Sequence, residues 1–210
     1  MINLLIADDH TLVRKGLKQI LLENPDIGII DEAKEGKDVV QKINKNAYDL
    51  VLLDISLPGR SGIEVLKQIK SLKPELPVLM LSMYPERQYA VRSLRAGASG
   101  YLTKESAPSE LIEAIKRVVK GRRYITSTLA EQLALELDKK APASPHEALS
   151  DREYQILCLI ASGNTTREIA EGLSLSVKTI STYRARLLKK MGMTNNAQLT
   201  HYAIKHGLVF

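Results

Sequence analysis

Along residues 1–120, short, mostly aliphatic runs alternate with apolar positions spaced three and four apart. The runs fall at 2–7, 27–30, 50–53, 78–81 and 100–102. Each is too short for a helix and is apolar without alternation, which is the pattern of a strand buried on both faces. Helical spacing occupies 12–22, 37–43, 63–72, 87–96 and 111–119. In the last of these, Leu111, Ile112, Ile115, Val118 and Val119 keep i, i+3/i+4 spacing, and Pro108 suits a first turn. Five strand–helix repeats predict an α/β fold: a doubly wound five-stranded parallel sheet with helices on both faces.

The pattern loosens after Gly121. A short helix is expected over 128–139, and Ala141-Pro142-Ala143-Ser144-Pro145 has the composition of an interdomain linker. Closely spaced helices follow. Ser150-Asp151-Arg152-Glu153 is a capping box opening a helix to about Ala161, which Ser162-Gly163 ends. Thr165-Thr166-Arg167-Glu168 is a second capping box, for a short helix to Leu173; Ser176 caps a third helix to Met191, and a fourth covers 196–205. The division expected is 1–121, a partly helical linker over 122–146, and a small all-α domain over 147–210.

Charge sharpens this division. The chain carries 30 Lys and Arg against 24 Asp and Glu, a net +6. Six of those cations lie between Gly172 and Phe210, where there is no acid, so the remainder is balanced. A basic excess confined to one segment points to a polyanion, nucleic acid ahead of membrane. No run of 18 apolar residues offers a membrane span, and Met1 to His10 turn acidic at once, unlike a secretory leader. The single cysteine, Cys158, excludes an internal disulfide, suits a reducing cytoplasm and sits in an apolar helical pattern as a core residue.

The acidic residues then take on meaning by position. Asp8 and Asp9 follow the first run, Asp54 ends the third, Ser82 ends the fourth, and Lys104 lies just past the fifth. In a parallel sheet all five meet at the C-terminal edge, where ligands bind. Clustered carboxylates repel and raise one another's pKa. A divalent cation with oxygen ligands offsets that repulsion, and Mg²⁺ suits one or two carboxylates with waters and phosphate oxygens. A carboxylate can also attack a phosphoryl group, and the transition state then needs a metal, a cation and hydrogen-bond donors. Asp8 and Asp9 for the metal, Lys104 for the cation and Ser82 for a donor complete that set around Asp54.

Asp8-Asp9, Asp54, Ser82 and Lys104, with Tyr101 three residues before the lysine, resemble the receiver domain of bacterial two-component response regulators, a flavodoxin-like fold, over roughly residues 1–120. The resemblance implies that Asp54 accepts phosphate from a sensor histidine kinase. It implies Mg²⁺ held directly by Asp9, Asp54 and the Ser56 backbone carbonyl, and by Asp8 mainly through water. Ser82 would turn toward the phosphoryl oxygens and Tyr101 would swing inward behind it. Receivers usually place proline after the lysine; here Glu105 stands there.

The helix after Ser176 has helix-turn-helix spacing from its predecessor, the arrangement in which the second helix enters the major groove. On its wheel Val177, Ile180, Leu187, Leu188 and Met191 form an apolar stripe. Lys178, Thr182, Ala185, Arg186 and Lys189 lie opposite, mixing cations for phosphates with small groups for base edges. Arg184 falls on the apolar side. The stretch Leu149 to Glu153, with Ile156-Leu157, Ser162-Gly163, Glu168-Ile169-Ala170 and Lys178-Thr179-Ile180, resembles the LuxR-type helix-turn-helix, and the whole chain resembles a NarL/FixJ-family response regulator. That resemblance implies double-stranded DNA as partner, with Lys178, Thr179, Ser181, Thr182, Ala185 and Lys189 facing it. It also implies that the last helix (Leu199, Tyr202, Ala203) helps pair two such domains. Phosphorylation is expected to free the C-terminal domain or to favour homodimers. Many members carry histidine where this chain has Tyr183. A phosphatase with an aspartyl nucleophile is a competing reading, but it needs a second Asp at position 56, which is Ser. A protein-binding regulator without DNA contact is another. The expectation is a regulator, not a turnover enzyme.

Overall fold

The structure is a computed structural model that describes residues 1–137 and 144–209. It divides into two compact units, Met1–Leu133 and Ala134–Phe210. The first holds five parallel strands, β1 (Ile2–Ala7), β2 (Ile27–Ala33), β3 (Leu50–Asp54), β4 (Val78–Ser82) and β5 (Gly100–Thr103), in the order β2-β1-β3-β4-β5. Helices α1 (Thr11–Leu22), α2 (Gly36–Lys45), α3 (Gly62–Leu72), α4 (Glu86–Arg95) and α5 (Pro108–Val119) connect them. The strand order reverses between β1 and β3, so β1 and β3 end side by side at the switch point where an open sheet binds ligands.

The aliphatic runs became the central strands because both faces are covered. Every residue of β3 and β4 is buried. Leu4, Ile6, Leu50, Leu52, Leu79 and Leu81 form one side of the core with Leu111, Ala114, Ile115 and Val118 of α5. Each fully buried Leu or Ile contributes ~1.5–3 kcal/mol. Strand β2 runs three residues past its aliphatic run, because Asp31, Glu32 and Ala33 pair with Leu5, Ile6 and Ala7 at the sheet edge. A strand continued by polar residues leaves no hydrophobic signature.

Helix α3 starts on a Ser61 capping box with Glu64. Gly62 is required there, since a Cβ would stand 1.9 Å from the Asp54 carbonyl oxygen. Its N–H donates to Ile55 O at 2.8 Å, which ties α3 to the end of β3. Any side chain at position 62 would push Asp54 out of place. Helix α6 (Ser127–Leu137) begins within the first unit: Leu129 is fully buried and the Thr126 hydroxyl donates to Glu86 at 2.6 Å. That unit therefore extends past the Gly121 break in the pattern. Asp138 and Lys139, placed in that helix by the pattern, and Ala141 to Ala143 of the linker lie outside the described residues, as does Phe210. Among the described residues no helix is long and apolar enough to cross a membrane.

In the second unit a 3-10 turn (Pro145–Ala148) has its own capping box, Ser144 with Glu147, which the linker composition hid. The helices are α7 (Asp151–Ala161), α8 (Thr166–Gly172), α9 (Val177–Met191) and α10 (Asn196–Lys205). The capping boxes at Ser150 and Thr165 form, and Ser176 accepts from Thr179 N–H. Gly192, at φ 64°, closes α9 in the left-handed region that favours glycine. Cys158 is buried in α7.

Candidate functional site

At the C-terminal edge of the sheet, Asp8 and Asp54 are buried while Lys104 reaches in from the loop after β5. Lys104 Nζ donates to Asp54 Oδ2 at 2.9 Å and stands 2.5 Å from Asp8 Oδ2. All three side chains are no more than 6% exposed. Burial pushes the Asp54 carboxyl above its usual value, the Lys104 amine opposes this, and Asp8 reinforces it. The same burial works against the charged Lys104 amine, but the two carboxylates outweigh it and hold the amine above its usual value. The cation and the two anions are mutually dependent: none is stable there alone.

The loop after β1 gathers the remaining donors and acceptors. Ligand atoms of Asp8, Asp9, His10 and Asp54 lie within 4.8 Å of one another. Lys104 Nζ stands against Asp8 Oδ2 and the His10 ring against Asp9 Oδ1. Three carboxylates and an imidazole gathered this closely fit a hard divalent cation. The acidic cluster is thus able to hold a metal ion.

His10 and Arg14 belong to this site and were not singled out from the sequence. His10 N–H donates to Asp8 Oδ1 at 2.8 Å, and its ring Nδ1 lies 2.8 Å from Asp9 Oδ1. Arg14, buried on α1, donates from Nη1 to the Asp8 carbonyl at 2.8 Å and from Nε to Glu32 at 3.1 Å. The Arg14 hydrogen bond holds the Glu32 carboxyl below its usual value, although partial burial opposes it. Arg14 thus fixes the backbone that aims Asp8. An arginine inside the apolar spacing of a first helix was the available signal.

Ser82 and Tyr101 stand beside this cluster. Ser82 is fully buried at the end of β4; its Oγ accepts from Tyr84 N–H at 3.0 Å, and its carbonyl accepts from Lys104 N–H at 2.8 Å. Tyr101 points inward, fully buried, and its hydroxyl donates to the Tyr84 carbonyl at 2.8 Å. Burial pushes its phenol well above the usual value. Ser56 reaches Asp54 through its backbone N–H. The peptide bond between Lys104 and Glu105 is trans.

The second unit presents a different kind of surface. Leu173 to Ser176 form the turn between α8 and α9, with Ser174 at φ 52°, a left-handed conformation unusual for serine. Ile180, Leu187 and Met191 anchor α9 in the core. Val177, expected in that stripe, is 49% exposed, because a residue in the first turn projects beyond the core it precedes. Lys178, Ser181, Thr182, Ala185, Arg186 and Lys189 are exposed, and Thr179 is half-buried. The Ser181 and Thr182 hydroxyls donate back to Val177 O at 2.9 Å and Lys178 O at 3.0 Å.

Two basic residues of α9 are engaged internally. Arg184 Nε donates to Asn196 Oδ1 at 2.6 Å, which accounts for its place on the apolar side and links α9 to the start of α10. Lys190 Nζ donates to Glu153 Oε2 at 2.7 Å, tying α9 to the first turn of α7. Burial pushes the Glu153 carboxyl up, but the Lys190 and Ser150 donors outweigh it and hold it below its usual value. Lys178, Arg186 and Lys189 remain exposed on one face.

Comparison with known proteins bears on both units. Residues 4–116 match the response regulator receiver domain, and residues 147–203 match the luxR family of bacterial regulatory proteins. The response regulator UvrY of Escherichia coli (strain K12) is 41% identical over 99% of this chain and 96% of its own length. The response regulator GacA of Pseudomonas aeruginosa is 35% identical over 100% of this chain and 98% of its own. Among solved structures, RcsB from Salmonella enterica serovar Typhimurium, bound to promoter P1flhDC in the presence of the phosphomimetic BeF3-, is 27% identical with a TM-score of 0.60, covering 96% of this chain and 97% of that one. The response regulator ChrA of a heme-sensing two-component system is 30% identical with a TM-score of 0.54, over 99% and 98%. With a buried amine joining two carboxylates at a receiver's sheet edge and a LuxR-type helix-turn-helix in the same chain, this protein belongs to the NarL/FixJ family of two-component response regulators.

Proposed function

We propose that this chain is a phosphorylation-dependent, DNA-binding transcription regulator. Residues 1–121 act as the phosphoacceptor domain, 147–210 as the DNA-binding domain, and 122–146 as the linker. Its phosphate comes from the phosphohistidine of a sensor histidine kinase. An Asp54 carboxylate oxygen forms the new P–O bond as the kinase P–N bond breaks, and the leaving imidazole takes up a proton. Lys104, already hydrogen-bonded to Asp54, moves onto the phosphoryl oxygens, where developing charge strengthens its contact. Ser82 Oγ gives up the Tyr84 N–H for those oxygens, and Tyr101, already inward, fills the space behind it.

Asp8, Asp9, Asp54 and the Ser56 carbonyl are the groups that would hold Mg²⁺, which when bound supplies neutralisation of the crowded charge. The exposed face of α9 reads DNA through Lys178, Thr179, Ser181, Thr182, Ala185, Arg186 and Lys189. Phosphorylation favours a homodimer, so that two recognition helices meet two half-sites. The structures similar to this chain include two RcsB dimers bound to two parallel DNAs. A cytoplasmic location follows from these partners.

The observation that carries the reading is the Lys104 amine within 2.9 Å of Asp54 Oδ2 and 2.5 Å of Asp8 Oδ2 at the switch point of the sheet. The test is labelling with a radioactive small phosphodonor in Mg²⁺. An acid-stable but hydroxylamine-labile label, absent in Asp54→Asn, is expected; undiminished labelling of that variant would move the acceptor elsewhere.

A further inference from the structure

The opposite, N-terminal edge of the sheet holds a second concave site that phosphoryl transfer does not use. A cavity of about 390 Å³ opens between the α3–β4 loop, the α4–β5 loop and the end of α5. Its size falls within the ~300–1,000 Å³ of small-molecule sites. Lys70, Arg122 and Arg123 line it against one acid, Glu75. Among the described residues neither Arg122 nor Arg123 forms an ion pair with a carboxylate.

Lys70 is built into the wall. Its stem packs on Gly97, where a Cβ would come within 3.1 Å of Lys70 Cγ, and Gly97 itself adopts φ 102°. Its amine donates to the Pro74 carbonyl at 3.1 Å and the Leu76 carbonyl at 2.7 Å. An ammonium has three donors, so one remains. Burial pushes this amine below its usual value; Glu75 opposes that and Arg123 adds to it. Two cations thus repel across the cavity with a single acid beside them, and an anion placed between them relieves that repulsion.

We infer that the cavity bounded by Lys70, Arg122 and Arg123 is a binding site for a small pyrophosphate-bearing ligand. One phosphate alone leaves most of the volume unfilled, and paired guanidinium groups suit adjoining phosphates. The walls are two loops and the end of α5. The site is distinct from the Asp54 cluster and does not depend on the function of that cluster.

The test is a titration of the full-length protein with inorganic pyrophosphate in EDTA, followed by amide chemical shifts. EDTA removes metal-dependent binding at the acidic edge. Saturable shifts at Gly97, Ser99, Arg122 and Arg123, with a Kd below about 1 mM, are expected. The exposed substitutions Arg122→Gln and Arg123→Gln should together weaken binding by about tenfold or more. Shifts confined to the α9 face, or an affinity unchanged in the double variant, would overturn the site. A parallel titration with a random-sequence duplex is expected to leave these amides in place. If the duplex moved them as strongly as pyrophosphate, the ligand would be a nucleic-acid backbone and the small-molecule assignment would fall.

Discussion

The two functional surfaces of this chain are built on opposite principles. At the receiver edge, Asp8, Asp54 and Lys104 are buried and held by contacts from neighbouring strand ends, so each residue depends on the others. On the recognition helix, Lys178, Ser181, Thr182, Ala185, Arg186 and Lys189 are exposed, and the Ser181 and Thr182 hydroxyls are bonded to their own helix. The covalent chemistry proposed for the first surface needs desolvated, over-determined groups. The DNA contact proposed for the second needs accessible charge on a rigid rod. Removing one residue should therefore be drastic at the first surface and incremental at the second.

Asp54→Asn makes the sharpest break, since it removes the proposed acceptor: labelling should fall to background while the fold persists. Lys104→Ala comes next. It leaves two buried carboxylates unpaired, so the receiver should lose about 3–5 kcal/mol in metal-free buffer, measured by urea unfolding. Added Mg²⁺ should restore part of that loss by binding the folded state. A change under about 1 kcal/mol would mean that the pair is not coupled as described.

In the second unit Glu153 is a buried carboxylate tied to a lysine of α9. Glu153→Gln should cost about 2 kcal/mol at neutral pH, read from amide-exchange protection in α7 and α9. The folded carboxyl lies below its usual value, so its contribution is present above the unfolded pKa of about 4.3 and is lost as pH falls through the folded value. The gap between the wild type and Glu153→Gln should therefore close in acid. A gap that persisted there would assign the loss to packing.

Lys178→Ala should reduce the log–log salt slope of DNA binding by about 0.9, whereas Arg184→Ala should leave that slope unchanged, because Arg184 is engaged with Asn196. Equal slopes for the two variants would erase the distinction between exposed and engaged cations. The smallest effect is expected for Ser174→Gly. Relief of the left-handed serine, less the entropy of glycine, should stabilise the turn by about 0.5 kcal/mol in thermal unfolding.

What the sequence made legible follows the same contrast. Asp54 stood out because a charge closes an unbroken aliphatic run, and the topology of a parallel sheet then carries Asp8, Ser82 and Lys104 to one edge. The capping boxes at Ser150 and Thr165 were legible because their donors and acceptors are three residues apart. The partners of Arg14, Arg184 and Lys190 were not, since each is paired across 12 to 37 residues of chain. The same holds for the polar end of β2: edge pairing with β1, not its own composition, makes it a strand. Val177 shows the remaining gap, because a helical wheel carries no information about where the neighbouring core ends.

The central claim is that modifying the buried acidic edge changes what the exposed helix does. The most direct measurement is the affinity of the full chain for a duplex selected from a random pool, at fixed salt, with and without beryllofluoride and Mg²⁺. Binding should tighten by about 5–150-fold, the usual span of coupling between two sites, and Asp54→Asn should show no such gain. Equal affinities for the wild type in both conditions, with beryllofluoride bound at Asp54, would contradict the account.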